Sequence, residues 1–178
     1  MLEIIWQTIW LMLPAGIANM APVLFKWLPL LNYPIDFNCR INNHPILGRN
    51  KTWRGLVAGI IMAVFTVYIQ KKFSLDHASW NIIDYQKNNV LLLGLIFGLG
   101  ALGGDMVKSF FKRLYNINPG ESWAPFDQID WILGTLILLS LIQPLSWKIW
   151  LSAILIFGIM HPLINLIGYC LKIKKNKF

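Results

Sequence analysis

Apolar runs long enough to cross a bilayer recur along this chain, separated by short polar stretches. From Ile4 to Leu31 nearly every residue is apolar, with interruptions at Pro14, Gly16, Asn19 and Pro22. A spanning helix needs about 20 residues. Each proline removes a helical hydrogen bond, so a kink or break is expected there. Further runs cover Gly55–Gln70, a third from about Val90, Trp131–Leu145 (closed by Gln143-Pro144), and Trp147–Leu171 with His161 and Pro162 inside it. The pattern predicts an all-α, polytopic integral membrane protein of about five transmembrane helices, with one membrane domain over residues 1–178.

Composition agrees. The 178 residues are 56% apolar and include nine tryptophans, and mean hydropathy is +0.54. A net charge of +8 would suggest nucleic acid in a soluble protein. Here Lys and Arg flank spans, where they meet anionic headgroups, so the partner is the lipid bilayer and not nucleic acid. Five spans put the loop 32–53, the loop after the third span and the C-terminal lysines on one face. That face carries Arg40, Arg49, Lys51, Arg54, Lys108, Lys112 and Arg113, and the opposite face far fewer cations. The imbalance places the basic face in the cytoplasm and the N-terminus outside, in a cell (inner) membrane. Cys39 and Cys170 have no metal-ligand spacing and need no disulfide. Glu3, and the lack of a basic residue before Lys26, argue for a retained first span and not a cleaved signal. The connector Lys71–Asn89 holds no recognisable motif, and neither His77 nor His161 is given a role.

The stretch Gly94–Gly134 changes the picture. It begins as a glycine-rich span and turns polar at Asp105. Small residues allow close helix approach, within one chain or between two, which leaves a homodimer open. Steps of three and four from Asp105 bring Lys108, Ser109 and Lys112 to one helical face, with Met106, Val107, Phe110 and Phe111 on the other. After a turn at Asn118-Pro119-Gly120-Glu121, Pro125 is placed to open the fourth helix. Asp127 and Asp130 then share a face. First-turn acids also complement a helix dipole, but two of them with Asp105, just outside a span, suit a hard divalent cation such as Mg²⁺.

The loop before the second span supplies the opposite charge. Thr52 is a good N-cap, so Lys51 and Arg54 cluster at a helix N-terminus, an end that favours phosphate. Asn19, midway along the first span, suits either an interhelical hydrogen bond or a substrate contact. Acids for Mg²⁺ and cations for phosphate on one cytoplasmic face read as phosphoryl or nucleotidyl transfer.

The motif Asp105-x-x-x-Ser109-x-x-Lys112-Arg113, followed by Asp127-Gln128-x-Asp130, resembles the signature of membrane CTP:phosphatidate cytidylyltransferases. It is closer still to their short archaeal branch, the CDP-archaeol synthases. Leu13-Pro14, Asn19-x-Ala21-Pro22-Val23, Pro34-Ile-Asp36 and Ile46-Leu-Gly48-x-x-Lys51-Thr52-x-Arg54-Gly55 resemble the same family, so about half the chain carries the likeness. The resemblance implies attack of a membrane lipid phosphate on the α-phosphorus of CTP, releasing pyrophosphate and a CDP-lipid. By position, Asp105, Asp127 and Asp130 would bind Mg²⁺, and Lys51, Arg54, Lys112 and Arg113 would neutralise phosphates. Thr52, Ser109 and Gln128 would be polar substrate contacts, and Asn19 would approach the headgroup. Where the phosphatidate branch has a Lys-Asp pair and a His-Gly-Gly, this chain reads Asn118-Pro119 and Trp123-Ala124-Pro125. These departures and the much shorter chain favour the archaeol-type branch, with a phosphatidate-specific CDP-diacylglycerol synthase as the alternative and the lipid tails left open. CDP-alcohol phosphotransferases fit less well, because their pattern of an Asp-Gly pair, Ala-Arg and spaced aspartates is absent, and membrane prenyltransferases need two Asp-rich motifs where Asp127-x-x-Asp130 supplies at most one. A transporter or scaffold would show no CTP dependence.

Overall fold

The computed structural model describes residues 2–41, 44–117 and 121–170, the last ten as helical backbone. The turn expected at 118–120, the basic tail and the side chains of His161 and Cys170 lie outside the described residues. Among the described residues there are five α-helices: α1 (Leu2–Leu24), α2 (Trp53–Phe73), α3 (Val90–Leu114), α4 (Phe126–Ser140) and α5 (Trp147–Cys170). The loop after α1 adds one departure from an all-helical chain, a short antiparallel hairpin of β1 (Arg40–Ile41) and β2 (His44–Pro45).

Helices α1, α2 and α3 are long and apolar enough to cross a membrane. Their outward faces carry exposed Leu13 and Met20, Ile61 and Phe65, and Leu91 and Leu95, as expected for helices solvated by lipid. Helix α1 runs unbroken through Pro14 and Pro22. In apolar surroundings a broken helix would strand several backbone groups, whereas a proline forfeits one hydrogen bond. Helix α4 has 15 residues, about 22 Å at the usual rise, against a hydrocarbon core of about 30 Å. Its first two turns lie beside the last part of α3, with Asp127 at Lys108 and Lys112 and the Asp130 carbonyl at Gly104.

Glycines set how closely α3 meets its neighbours. A Cβ at Gly94 would strike Val64 of α2, and one at Gly98 would press on Ile60. On the other side of α3, Gly100 abuts Thr135, and Gly104 abuts Asp130 and Gly134. These contacts lie within one chain, which answers for these glycines the question the sequence left open. The core between helices is built from residues such as Met12, Ala63, Phe97, Ile132 and Ala153.

The helix ends sort into two groups. Gln7 donates to the Ser79 carbonyl (2.9 Å) and Trp10 Nε1 to Asn81 (3.2 Å), so the start of α1 meets the α2–α3 connector. The loop before α2, the end of α3 and the start of α4 gather at the other end.

Candidate active site

Three aspartates converge on one ammonium group. Lys108 Nζ lies 3.0 Å from Asp105 Oδ1, 3.0 Å from Asp127 Oδ1 and 2.7 Å from Asp130 Oδ2. Asp105 and Lys108 are one turn apart on α3, and Asp127 and Asp130 one turn apart on α4, so two helical repeats face each other across the Gly104–Gly134 contact. Asp105 is nine residues before the end of α3, about 14 Å along its axis, which sinks the cluster below the helix end. Asp130 is only 5% exposed. Charges buried this deeply persist only when paired.

Two further lysines complete the cluster. Lys51 is ion-paired with Asp105, which joins the first loop to α3. Lys112 Nζ lies 3.2 Å from both oxygens of Asp127 and also donates to the Glu121 carbonyl (2.5 Å). Asp127 in turn accepts from the Trp123 backbone N–H (2.5 Å). The segment before α4, which includes a cis Ala124–Pro125 peptide, is thus tied to α3 through one carboxylate.

The described residues of the first loop are tied together by hydrogen bonds. Asp36 accepts from the backbone N–H groups of Leu47 (2.8 Å), Gly48 (3.2 Å) and Asn38 (3.1 Å). Gly48 has φ +94°, a conformation that side-chain-bearing residues rarely adopt. Ile35 N–H donates to the Lys51 carbonyl (2.8 Å), so Asp36 is coupled through the backbone to Lys51.

The remaining sequence candidates divide. Thr52 caps α2, accepting from Gly55 N–H at 3.2 Å as its position predicted, which engages its hydroxyl. Ser109 donates to the Asp105 carbonyl (2.8 Å). Arg54 donates to the Leu28 carbonyl (2.5 Å) and Arg113 to the Ile117 carbonyl, and each leaves a buried Nε without an acceptor. Gln128 is buried with Oε1 unpaired. Asn19 is half-buried on α1. Lys108 and Asp36 are the residues the motif reading passed over as site residues. The one-turn step from Asp105 placed Lys108 on the right face, but nothing in that step distinguished it from Lys112.

The polar cluster opens onto an apolar groove of about 1000 Å³ between α3 and α4. Leu99, Val107, Phe126 and Ile137 line it and are exposed along its length, and Lys108 and Asp130 are the ionic residues in its wall. It extends along α3 from Leu99 to Phe111, about 18 Å. Gly103 faces it with no atom within 4 Å of a Cβ placed there.

Carboxylate oxygens are the donors Mg²⁺ prefers, so the chemistry of the set fits. The shared point, however, carries the Lys108 ammonium. Among the described residues no three acid, His or Cys side chains are disposed to hold a metal as they stand.

A family model described as CarS-like, CDP-archaeol synthase, matches residues 1–178. The chain belongs to the CDP-archaeol synthase family. CDP-archaeol synthase of Archaeoglobus fulgidus is 33% identical over 98% of both chains. That of Methanosphaerula palustris is 36% identical over 92% of this chain and 98% of its own. A solved structure of an intramembrane enzyme for archaeal membrane lipids biosynthesis superposes with a TM-score of 0.72 at 28% identity, covering 89% of this chain and 92% of that one. The family expected from the Asp105 and Asp127 motifs is therefore borne out over the whole chain, and so is its membrane-embedded helical fold.

Proposed function

We propose that this protein is a membrane CTP:lipid-phosphate cytidylyltransferase that makes a CDP-archaeol-type lipid and pyrophosphate. The observation that carries the reading is the junction at Lys108 and Asp130, where an ionic cluster meets the head of an apolar groove. A lipid phosphate has that same division, a charged head on an apolar tail, and the groove's exposed flank admits a tail from the bilayer.

In the reaction an oxygen of the lipid phosphate attacks the α-phosphorus of CTP. The bond from that phosphorus to the bridging oxygen breaks, and the electron pair leaves with pyrophosphate. The lipid phosphate is already ionised near neutral pH, so the protein need only bind, orient and neutralise charge. The buried Nε donors of Arg54 and Arg113, together with Lys51, suit the triphosphate. Lys108, in the groove wall, suits the lipid phosphate. Asp105, Asp127 and Asp130 would hold Mg²⁺, which when bound supplies further charge neutralisation on the phosphate oxygens. Exclusion of water by the apolar groove favours transfer to lipid over hydrolysis. We read the chain as five spans, with this end of the bundle in the cytoplasm, where CTP is available.

The test is purified protein with labelled CTP, Mg²⁺ and a panel of ether-linked and diacyl lipid phosphates. CDP-lipid should form, with loss on chelation and in Asp127→Asn and Asp130→Asn. No product from any lipid would overturn the function, and unchanged turnover in both variants would overturn the site. An apolar groove separates tails weakly, so preference between ether and ester lipids is read from the panel.

A further inference from the structure

Lys108 stands where a cation bound by all three aspartates would have to stand. Its Nζ is 2.7–3.0 Å from an oxygen of Asp105, Asp127 and Asp130. Magnesium takes oxygen ligands at about 2.0–2.1 Å in near-octahedral geometry, so metal and ammonium cannot share that point. Lys108 also borders the groove, which offers its side chain another position. Lys51 and Lys112 differ from it in this respect, because each reaches only one of the three carboxylates.

We propose that Lys108 and the divalent cation exchange places. The ammonium holds the three carboxylates together until the cation enters, and the displaced ammonium then turns into the groove, where it receives the lipid phosphate. This rests on the reading of Asp105, Asp127 and Asp130 as the magnesium site.

Charge balance gives the exchange a direction. Lys51, Lys108 and Lys112 together neutralise the three aspartates. A divalent cation entering alone, with Lys108 displaced, would leave one positive charge in excess in the largely buried cluster and a second, unpaired, on the ammonium in the groove. An incoming triphosphate or lipid phosphate removes that excess, so cation and anion bind cooperatively, while the cation by itself binds weakly against Lys108.

Mn²⁺ is the probe, with free ion counted by electron paramagnetic resonance in the absence of nucleotide and lipid phosphate. Folded Lys108→Met should bind Mn²⁺ about tenfold more tightly than wild type, within the range of typical couplings between sites. Lys108→Arg, which keeps the competing charge, should resemble wild type. Equal or weaker binding by folded Lys108→Met overturns the exchange. If that variant does not fold, the wild type decides through reductive methylation of lysines read by mass spectrometry. Saturating Mn²⁺ should speed labelling of Lys108 several-fold and leave the exposed Lys87 unchanged. An unchanged Lys108 rate overturns the proposal. Neither measurement contains CTP or lipid phosphate, so failure of wild type to form CDP-lipid would remove the enzymatic reading without deciding the exchange.

Discussion

Gly104 of α3 lies against the backbone carbonyl of Asp130 on α4, so closely that a Cβ at 104 would overlap that oxygen. The same contact that packs the two helices sets the distance from Lys108 to Asp130. Gly104→Ala and Gly134→Ala should therefore force the helices apart, costing about 1–3 kcal/mol and opening the ion-pair cluster. Gly103→Ala, one residue away, meets nothing within 4 Å and should retain stability. Thermal inactivation half-lives of the three variants test this contrast. Equal behaviour at 103 and 104 would contradict the packing account.

Lys112 joins Asp127 to the Glu121 carbonyl. Its replacement by Met leaves Asp127 with one partner fewer in a semi-buried setting, and breaking such a pair costs about 3–5 kcal/mol when burial is complete. The loss here should approach the lower figure. Because Lys112 also fixes the segment before α4, proteolysis around 121–125 should rise in Lys112→Met and not in Lys87→Met.

The groove predicts a separation of kinetic effects. Leu133 lines it one helical turn beyond Asp130 and belongs to none of the ion pairs. Leu133→Trp should raise KM for the lipid phosphate about tenfold, the scale of a hydrophobic misfit, and leave KM for CTP unchanged. A matched rise in both would mean that the lipid does not lie there.

Asp36 organises the first loop through three backbone N–H groups. Asp36→Ala should strand these donors, at about 1–3 kcal/mol of local stability for each buried one, and loosen Lys51. Helix content by circular dichroism should stay unchanged while kcat/KM for CTP falls. Loss of helix content would make the effect global and not local.

Tyr85, in the α2–α3 connector, is 1% exposed and its hydroxyl lacks a partner. Burial pushes its pKa up from the ordinary tyrosine value. The folded state thus favours the protonated form, and this contribution is complete below about pH 10, the unfolded tyrosine value, and lost as pH rises beyond it. Tyr85→Phe should equal or exceed wild type in stability at neutral pH and decline less above pH 10. Parallel pH–stability curves for the two proteins would contradict this.

Much of the architecture is legible in the apolar periodicity, because lipid demands long helices with satisfied backbones. The N-cap at Thr52, the start of α3 at Val90 and the shared face of Asp127 and Asp130 are local matters and can be read locally. The continuity of α1 through Pro14 and Pro22 is not, because a proline's cost depends on what surrounds the helix. Loop 32–53 reads as polar punctuation, and its order arises from one carboxylate meeting backbone groups eleven and twelve residues away.

The amino-acid sequence by itself determined the family, the membrane class and the alignment of the charged residues that form the ionic cluster, since spacing along a helix is enough to align Asp105 with Lys108 and Asp127 with Asp130. Only the tertiary structure decided which cation those acids share. Lys108 and Lys112 are equivalent by helical repeat, and the depth at which Gly104 meets Gly134 selects between them. That depth belongs to the packing of two helices against each other, which neither helix encodes alone.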